Sequence, residues 1–221
     1  IESSMVSVPE YARAVVPRGT TTVVADPHEI ANVWGEAGIR YILASSEDVP
    51  LNVYVMLPSC VPATDLETAG ARLGAVDLAP LLKEERVLGL AEMMNYPGVL
   101  LRDEEVMAKL ALAEGWPVDG HAPGLSGREL SAYIAAGIGS DHECTSIEEA
   151  REKVRAGMHI MLREGSAAKN LRDLLPLVTP KNAGRFLFVS DDRHPADLLA
   201  QGHIDFMVRT AVEQGLEPIV A

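Results

Sequence analysis

Two patterns of apolar and polar positions alternate along the chain. Short runs rich in β-branched residues, typical of buried strands, are each followed by a longer segment with the spacing of an amphipathic helix. The short runs predict seven strands: Thr20–Ala25, Leu51–Leu57, Arg86–Ala91, Trp116–Gly120, Gly137–Ser140, Met158–Arg163 and Arg185–Ser190. The longer segments predict seven helices: Glu36–Ser46, Leu78–Glu84, Asp103–Glu114, Gly127–Ala136, Ser146–Ala156, Ala167–Leu175 and Pro195–Gln214. The chain is therefore expected to consist of repeated βα units.

The character of the strands narrows the fold class. Strands that are apolar throughout and alternate with helices indicate a parallel sheet covered by helices, either a doubly wound sheet or a (β/α)8 barrel. Periodicity alone does not separate these two. No repeat beyond the βα unit, low-complexity tract or linker interrupts the pattern, and Gly70–Gly74 is interpreted as an excursion within one connection. A single domain over residues 1–221 is expected.

Composition and charge exclude several classes of function. A chain of 221 residues that is 48% hydrophobic can bury one sizeable core. Its formal net charge of −13 disfavours a nucleic-acid partner, which would need clustered Lys and Arg. Two cysteines without a CxxC spacing are typical of a reducing cytoplasm. No apolar run approaches the roughly 20 residues that span a bilayer, so no membrane partner is expected.

Ionisable side chains follow nearly every predicted strand. In chain order they are Asp26, His28 and Glu29, then Glu92, His121, the triplet Asp141, His142 and Glu143, and finally Asp191 and Asp192. In a parallel barrel the carboxyl ends of all strands lie on one face, so these residues would converge on one pocket. Imidazole nitrogens and carboxylate oxygens on rigid elements are what a divalent metal ion needs. The pattern therefore predicts a metal site.

Several separated strings resemble a known family. IESSM, GTTTVVADPHEIANVWG, MLPSCVPAT, GLAEMMNYPGV, DGHAPGL, SDHE and VSDDRHPADLLAQGHID occur in the order found in the adenine deaminases of the amidohydrolase superfamily. The resemblance covers essentially the whole chain. It implies a (β/α)8 TIM-type barrel, a binuclear divalent metal centre holding Mn or Fe, with Zn as an alternative, and hydrolytic deamination of adenine.

The resemblance also implies a role for individual residues. Glu92 would bridge the two metal ions, where many superfamily members use a carboxylated lysine, and His121 and His142 would be metal ligands. Asp191 would be both a metal ligand and the acid that shuttles the proton, with Asp192 as the alternative, and His142 would also assist catalysis. Three residues are expected to contact the substrate: Glu2, His28 and Glu29.

One feature of the family is missing from the sequence. The family places a His-x-His pair of metal ligands directly before the IESSM string, and no His-x-His occurs among these 221 residues. Only seven of the eight strands of a barrel are predicted. We therefore expect an incomplete barrel with two open edge strands, a homo-oligomer, and no catalysis by this segment alone. Another amidohydrolase activity, on a cyclic amide or an N-acetyl sugar, and a non-catalytic α/β interaction domain remain alternatives.

Overall fold

Seven parallel strands form a curled sheet at the centre of the molecule. The structure is a computed structural model that describes residues 1–221. The strands are β1 (Thr22–Ala25), β2 (Asn52–Leu57), β3 (Val87–Met93), β4 (Val118–Gly120), β5 (Ser140–Asp141), β6 (His159–Arg163) and β7 (Phe186–Val189). Every paired strand is parallel to its neighbour, and the order follows the sequence, β1 to β4 and then β5 to β7. The predicted α/β class with a parallel sheet is confirmed.

The two halves of the sheet meet where β4 lies against β5. The backbone N–H of Gly139 donates to the carbonyl of Val118 at 3.0 Å, in place of a regular ladder. A Cβ at Gly120 would lie 2.2 Å from the carbonyl oxygen of Ser140, so only glycine permits this approach. β1 and β7 end the sheet and do not pair with each other. The result is a half-barrel, and an eighth strand is not observed.

Helices cover the outside of the curled sheet. They are α1 (Val8–Val15), α2 (His28–Trp34), α3 (Glu36–Ser45), α4 (Ala75–Leu81), α5 (Tyr96–Leu101), α6 (Glu104–Leu112), α7 (Gly127–Ala135), α8 (Ile147–Arg155), α9 (Leu171–Leu174), α10 (Pro195–Ala200) and α11 (Ile204–Glu213). Side-chain caps begin α5, α6 and α8, the first through Asn95. Asp103 accepts from the backbone N–H groups of Glu105 and Val106 at 3.1 and 3.0 Å, and Ser146 accepts from that of Glu149 at 3.2 Å.

Three helices lie where the pattern predicted none, namely α1, α2 and α5. The spacing of α1 did contain the signal, because its buried residues Val8, Tyr11, Ala12 and Val15 recur at helical intervals. The single helix expected over Pro195–Gln214 was wrong, since it is broken into α10 and α11. Gly202 adopts φ +114° at the break, and a Cβ there would meet the Asp205 carboxylate at 2.5 Å. That conformation ends α10 before the next helix begins.

Strand boundaries also differ at two points that matter for the site. The pattern predicted that this strand ends at Ala91, with Glu92 beyond it. In the structure β3 extends to Met93, so Glu92 lies within the strand. The strand expected over Gly137–Ser140 is instead the two-residue β5, which includes Asp141. Both strands therefore continue one or two residues further towards the carboxyl end of the sheet.

Most of the core lies beneath β1 to β4. One cluster of 32 buried apolar residues joins these strands to the helices around them. A second cluster of nine buried residues packs β6 against α8, α9 and α11. None of the helices has the length and apolar character needed to cross a membrane.

A buried histidine links the first helix to the last part of the chain. Nε2 of His203 shares a hydrogen bond with the Tyr11 hydroxyl at 3.0 Å, and Nδ1 shares one with the Thr20 hydroxyl at 2.9 Å. Burial, reinforced by the charge of Arg193, lowers its pKa from 6.5 to about 4. The folded state thus resists protonation of this ring, whereas the unfolded chain accepts the proton near pH 6.5.

We expect this histidine to make folding sensitive to acid. Because the folded pKa lies below the unfolded value, stability falls as the pH drops from 6.5 towards 4, by up to about 3 kcal/mol. His203→Gln removes the titration, so the urea midpoint of the variant should depend less on pH within that window. An unchanged pH dependence in His203→Gln would contradict this assignment.

Candidate active site

Three predicted metal ligands meet at the carboxyl end of the sheet. Glu92 projects from β3, His121 follows β4 directly, and His142 follows β5. Nδ1 of His121 lies 2.7 Å from Glu92 Oε2, and Nε2 of His142 lies 3.2 Å from the same oxygen. All three ligand atoms lie within 4.8 Å of one another. Two imidazole nitrogens and one carboxylate oxygen form a donor set that suits Mn, Fe or Zn.

The charges of these groups are strongly coupled. Burial would raise the pKa of Glu92, but its hydrogen bonds with His121 and His142 outweigh burial and hold that pKa far below its usual range. Burial would likewise lower the pKa of His142, whereas the carboxylate of Glu92 raises it to about 9, assisted by Asp191 and Glu143. Excess negative charge around the imidazoles therefore attracts a positive charge, as a cation site requires.

A buried ion pair fixes the loops that carry the two histidines. Lys153 of α8 binds the carboxylate of Asp141 at 2.9 Å, and both side chains are fully buried. Lys153 also donates to the carbonyl of Ala122 at 2.6 Å, while Asp141 accepts from the backbone N–H of Ala122 at 2.9 Å. Ala122 follows His121 and Asp141 precedes His142. The pair consequently sets the separation of these two histidines.

Lys153→Met is expected to destabilise the protein by about 3–5 kcal/mol, because it leaves the Asp141 carboxylate buried without its counter-charge. Chemical denaturation would measure this loss. The matched control is Lys83→Met, which removes an exposed lysine and should change stability by less than about 0.5 kcal/mol. Equal stability of the two variants would contradict the structural role of Lys153.

A second group of ligand types shares Glu92. Asp26 follows β1, and His28 begins α2; His28 Nδ1 lies 3.0 Å from Asp26 Oδ2 and 3.6 Å from Glu92 Oε1. Both carboxylate oxygens of Asp26 are buried and make no aligned hydrogen bond. Burial raises the pKa of Asp26 to about 6. Oδ1 has no partner and Oδ2 contacts only His28, so this carboxylate suits a ligand that the chain itself does not supply.

The other two predicted substrate residues lie beside this group. Glu29 Oε1 is 3.5 Å from Nε2 of His28, and Glu2 Oε1 accepts from the backbone N–H of Ile30 at 3.5 Å. Glu2 Oε2 is buried without a hydrogen-bond partner. Burial, with the neighbouring charge of Glu2, raises the pKa of Glu29 to about 7, although His28 opposes that rise. These carboxyl groups line the β1 side of the cluster.

Asp191 approaches the cluster from the opposite side, after β7. Its carboxylate lies within 4.8 Å of ligand atoms of His142 and Glu143. Asp191 Oδ2 accepts from Nη1 of Arg163 at 2.6 Å, and the backbone of Asp191 adopts φ +50°. Asp192 is exposed, and its backbone carbonyl accepts from Ser166 at 2.8 Å. The aspartate nearer to the histidines is thus Asp191.

Comparison with known proteins identifies the family to which the chain belongs. Residues 1–183 match the amidohydrolase family. The chain belongs to the amidohydrolase family. Barrels of parallel strands and helices have their active sites at the carboxyl end of the sheet. That end is where Glu92, His121 and His142 lie in this chain.

Curated relatives of this amidohydrolase are named adenine deaminase. The adenine deaminase 2 of Carboxydothermus hydrogenoformans is 61% identical over 217 residues, covering 98% of this chain and 38% of that protein. The adenine deaminases of Desulfatibacillum aliphaticivorans and Clostridium acetobutylicum are 57% and 58% identical over 223 residues, covering 100% of this chain and 39% of each. The chain spans about two fifths of the length of these relatives. The resemblance seen in the sequence strings is confirmed.

The structure brings all of the predicted site residues of this amidohydrolase to one end of the sheet, while their roles stay predictions. Three further residues lie among them. Sequence reasoning expected Asp26 and Glu143 at this pocket without giving either an individual role, and it did not identify Arg163. Asp26 and Glu143 did carry a signal, since each lies at or just beyond a strand end. Arg163 is the last residue of β6, but a search for acids and histidines passes over an arginine.

Proposed function

We propose that this amidohydrolase catalyses the hydrolytic deamination of adenine, in which adenine and water give hypoxanthine and ammonia. The observation that carries the proposal is the Glu92 carboxylate between His121 and His142, within 2.7 and 3.2 Å of their nitrogens. Relatives 54–61% identical to essentially the whole chain are named adenine deaminase. Because the chain spans only part of those relatives, the activity belongs to the intact protein.

The residues that would hold a divalent ion are Glu92, His121 and His142, with Asp191 on the far side of His142. When bound, Mn or Fe, or alternatively Zn, would supply Lewis acidity and lower the pKa of a water molecule so that hydroxide is available near neutral pH. Glu92 is also the residue shared with Asp26 and His28, which supports a bridging role in a binuclear centre. Since the sequence contains no His-x-His, we propose that these 221 residues alone do not turn over adenine.

Asp191 is proposed to move the proton. Its Oδ2 is engaged by Arg163, and its Oδ1 makes no hydrogen bond within the chain. Oδ1 is therefore free to take a proton from the attacking water and deliver it to the ring or to the departing amine, as a general base and then a general acid. His142, whose ligand nitrogen lies within 4.8 Å of Asp191, is proposed to stabilise the charge that develops during attack at C6 of adenine.

Glu2, His28 and Glu29 are proposed to orient the substrate. Adenine presents N–H groups on its ring and its exocyclic amine, and carboxylates are acceptors for such donors. Glu2 Oε2 is buried and makes no hydrogen bond, and its ion-pair partner is the amino group of Ile1 at 3.5 Å, so a donor from the substrate would give this oxygen the hydrogen bond that it lacks.

We also propose a cytoplasmic homo-oligomer that binds neither nucleic acid nor membranes. The two terminal strands expose apolar side chains, with Val24 of β1 at 55% and Leu187 of β7 at 46% accessibility. Edge strands of this kind favour pairing with, or coverage by, further polypeptide. Both cysteines are buried free thiols, in keeping with a reducing compartment.

Ammonia release by the intact protein tests the proposed reaction. The panel should include adenine, adenosine and cytosine, each assayed by ammonia release with Mn and with Fe. A cyclic amide such as dihydroorotate, assayed by ring opening, and an N-acetylated amino sugar, assayed by acetate release, complete the panel. We expect turnover of adenine to exceed that of every other compound. Preferential hydrolysis of the cyclic amide or the N-acetyl sugar would replace adenine deamination by the corresponding amidohydrolase activity.

A further inference from the structure

Arg163 holds two carboxylates of the site together. Its Nη1 donates to both Glu143 Oε1 and Asp191 Oδ2, and its Nη2 donates to Glu143 Oε2 at 3.0 Å. Asp191 Oδ2 lies 2.6 Å from Nη1. The arginine is 8% exposed, and its Nε is buried without a partner. Because a guanidinium is planar and presents its donors in a fixed fork, it fixes the directions of both carboxylates.

A second buried arginine shows how a structural role differs. Arg193 donates to the backbone carbonyls of Gly202 and Glu164 and to the side chain of Gln201. It also stacks over the ring of Phe206 at 5.1 Å from the centroid. Arg193 thus connects the loop after β6, which contains Glu164, with the segment between α10 and α11, which contains Gln201 and Gly202. Both partners of Arg163, by contrast, are carboxylates that lie within 4.8 Å of a nitrogen of His142.

The conformation of Asp191 depends on an outside constraint. Its φ of +50° lies in the left-handed region, which residues other than glycine seldom adopt. Asp191 lies in the loop after β7, two residues beyond the last strand residue Val189, and its side chain is 31% exposed. The ion pair with Arg163 holds Oδ2 of this partly exposed side chain in one position. Anchoring Oδ2 leaves Oδ1 as the oxygen that can act.

We propose that Arg163 is a positioning residue for Asp191, and that it acts by holding the carboxylate of Asp191 beside His142 in the orientation that proton transfer requires. This inference rests on the function proposed above. Three of the four Nη hydrogens of Arg163 donate to the carboxylates of Glu143 and Asp191, so its guanidinium is engaged chiefly with these two side chains and not with a substrate. Its contribution should therefore appear in kcat and not in KM.

The test compares Arg163→Met and Arg163→Lys in the intact protein. Displacement of a catalytic group by about 1 Å can cost about 10²-fold. We expect Arg163→Met to lower kcat by about that factor with KM and bound metal unchanged, and Arg163→Lys to recover part of the loss because a point charge still attracts Asp191. A rise in KM with unchanged kcat, or loss of metal, would overturn the proposal.

A double variant separates action through Asp191 from a general loss of structure. In an Asp191→Asn background, adding Arg163→Met should lower kcat by less than threefold, because the group it positions is already disabled. The control is Arg86→Met, which removes a half-buried arginine that donates to the carbonyl of Leu43 at 2.6 Å. Arg86 precedes β3 and so lies at the amino end of that strand, opposite to the end that carries the site. The control should retain kcat. Full additivity of the two site substitutions would contradict the proposal.

A crystal structure of Arg163→Met keeps the inference separate from the proposed function. We expect the carboxylate of Asp191 to leave its position beside His142, while Glu92, His121 and His142 stay in place. An unmoved Asp191 would overturn the positioning role even if adenine were deaminated. Conversely, failure of the wild-type protein to act on adenine would refute the proposed function and leave the structural result standing.

Discussion

We expect Glu92→Gln to abolish the proposed adenine turnover by the intact protein and to remove most of its bound Mn or Fe. The carboxylate of Glu92 lies within 2.7 Å of His121 Nδ1, 3.2 Å of His142 Nε2 and 3.6 Å of His28 Nδ1. Glutamine keeps the shape but removes the charge, and a neutral amide is a much weaker ligand for a divalent cation than a carboxylate. His121→Ala and His142→Ala should produce the same loss, which metal analysis and an ammonia assay would measure together.

The matched control for Glu92→Gln is Glu105→Gln on the outer helix α6. Glu105 accepts from the backbone N–H of Ala75 at 2.8 Å and makes no contact with the site. This variant should retain full metal content and turnover, with a stability loss of about 1 kcal/mol at most. Wild-type metal stoichiometry and activity in His121→Ala and His142→Ala would contradict the assigned metal site.

Asp191→Asn has the second largest expected effect. The variant should keep its metal, because Glu92, His121 and His142 remain, but lose about 10²- to 10⁴-fold in kcat, the usual contribution of general acid–base catalysis. The amide cannot accept and return a proton at Oδ1. Steady-state kinetics with adenine at saturating metal would measure the loss.

Asp192→Asn is the internal comparison for this prediction. Asp192 is exposed and makes no side-chain hydrogen bond, whereas Asp191 lies beside His142 and Glu143. Substitution of Asp192 should therefore change kcat by less than tenfold. If Asp192→Asn were the more damaging of the two, the roles of these aspartates would have to be exchanged.

The strands and the group of ionisable residues at their carboxyl ends could be predicted from the sequence, because both follow from the order of residues within short segments. Apolar runs such as Leu51–Leu57 identify strands by composition alone, and β2 begins only one residue later than predicted. The βα alternation then forces the strands to be parallel, which puts their carboxyl ends on one side. That is why Glu92, His121 and His142, far apart in sequence, could be expected to meet.

Features that depend on long-range contacts were not predictable in the same way. A strand was predicted over Gly137–Ser140, but the bounds of the two-residue β5 are set by the pairing of Ser140 and Asp141 with His159 and Ile160 of β6. Helix α2 begins at His28 directly after an Asp-Pro pair, where local preference favours a turn. The guanidinium of Arg163 binds Glu143, 20 positions earlier in the chain, and Asp191, 28 positions later. No local sequence pattern around Arg163 predicts either contact.

Metal-dependent turnover of adenine by the intact protein is the most direct test of the central claim. The protein would be stripped with a chelator, reconstituted with graded amounts of Mn, and assayed for conversion of adenine to hypoxanthine, with Glu92→Gln in parallel. We predict no turnover in the stripped protein, recovery in proportion to bound metal, and no recovery in Glu92→Gln. Equal turnover of adenine before and after metal removal, or full recovery in Glu92→Gln, would contradict metal-dependent deamination at this site.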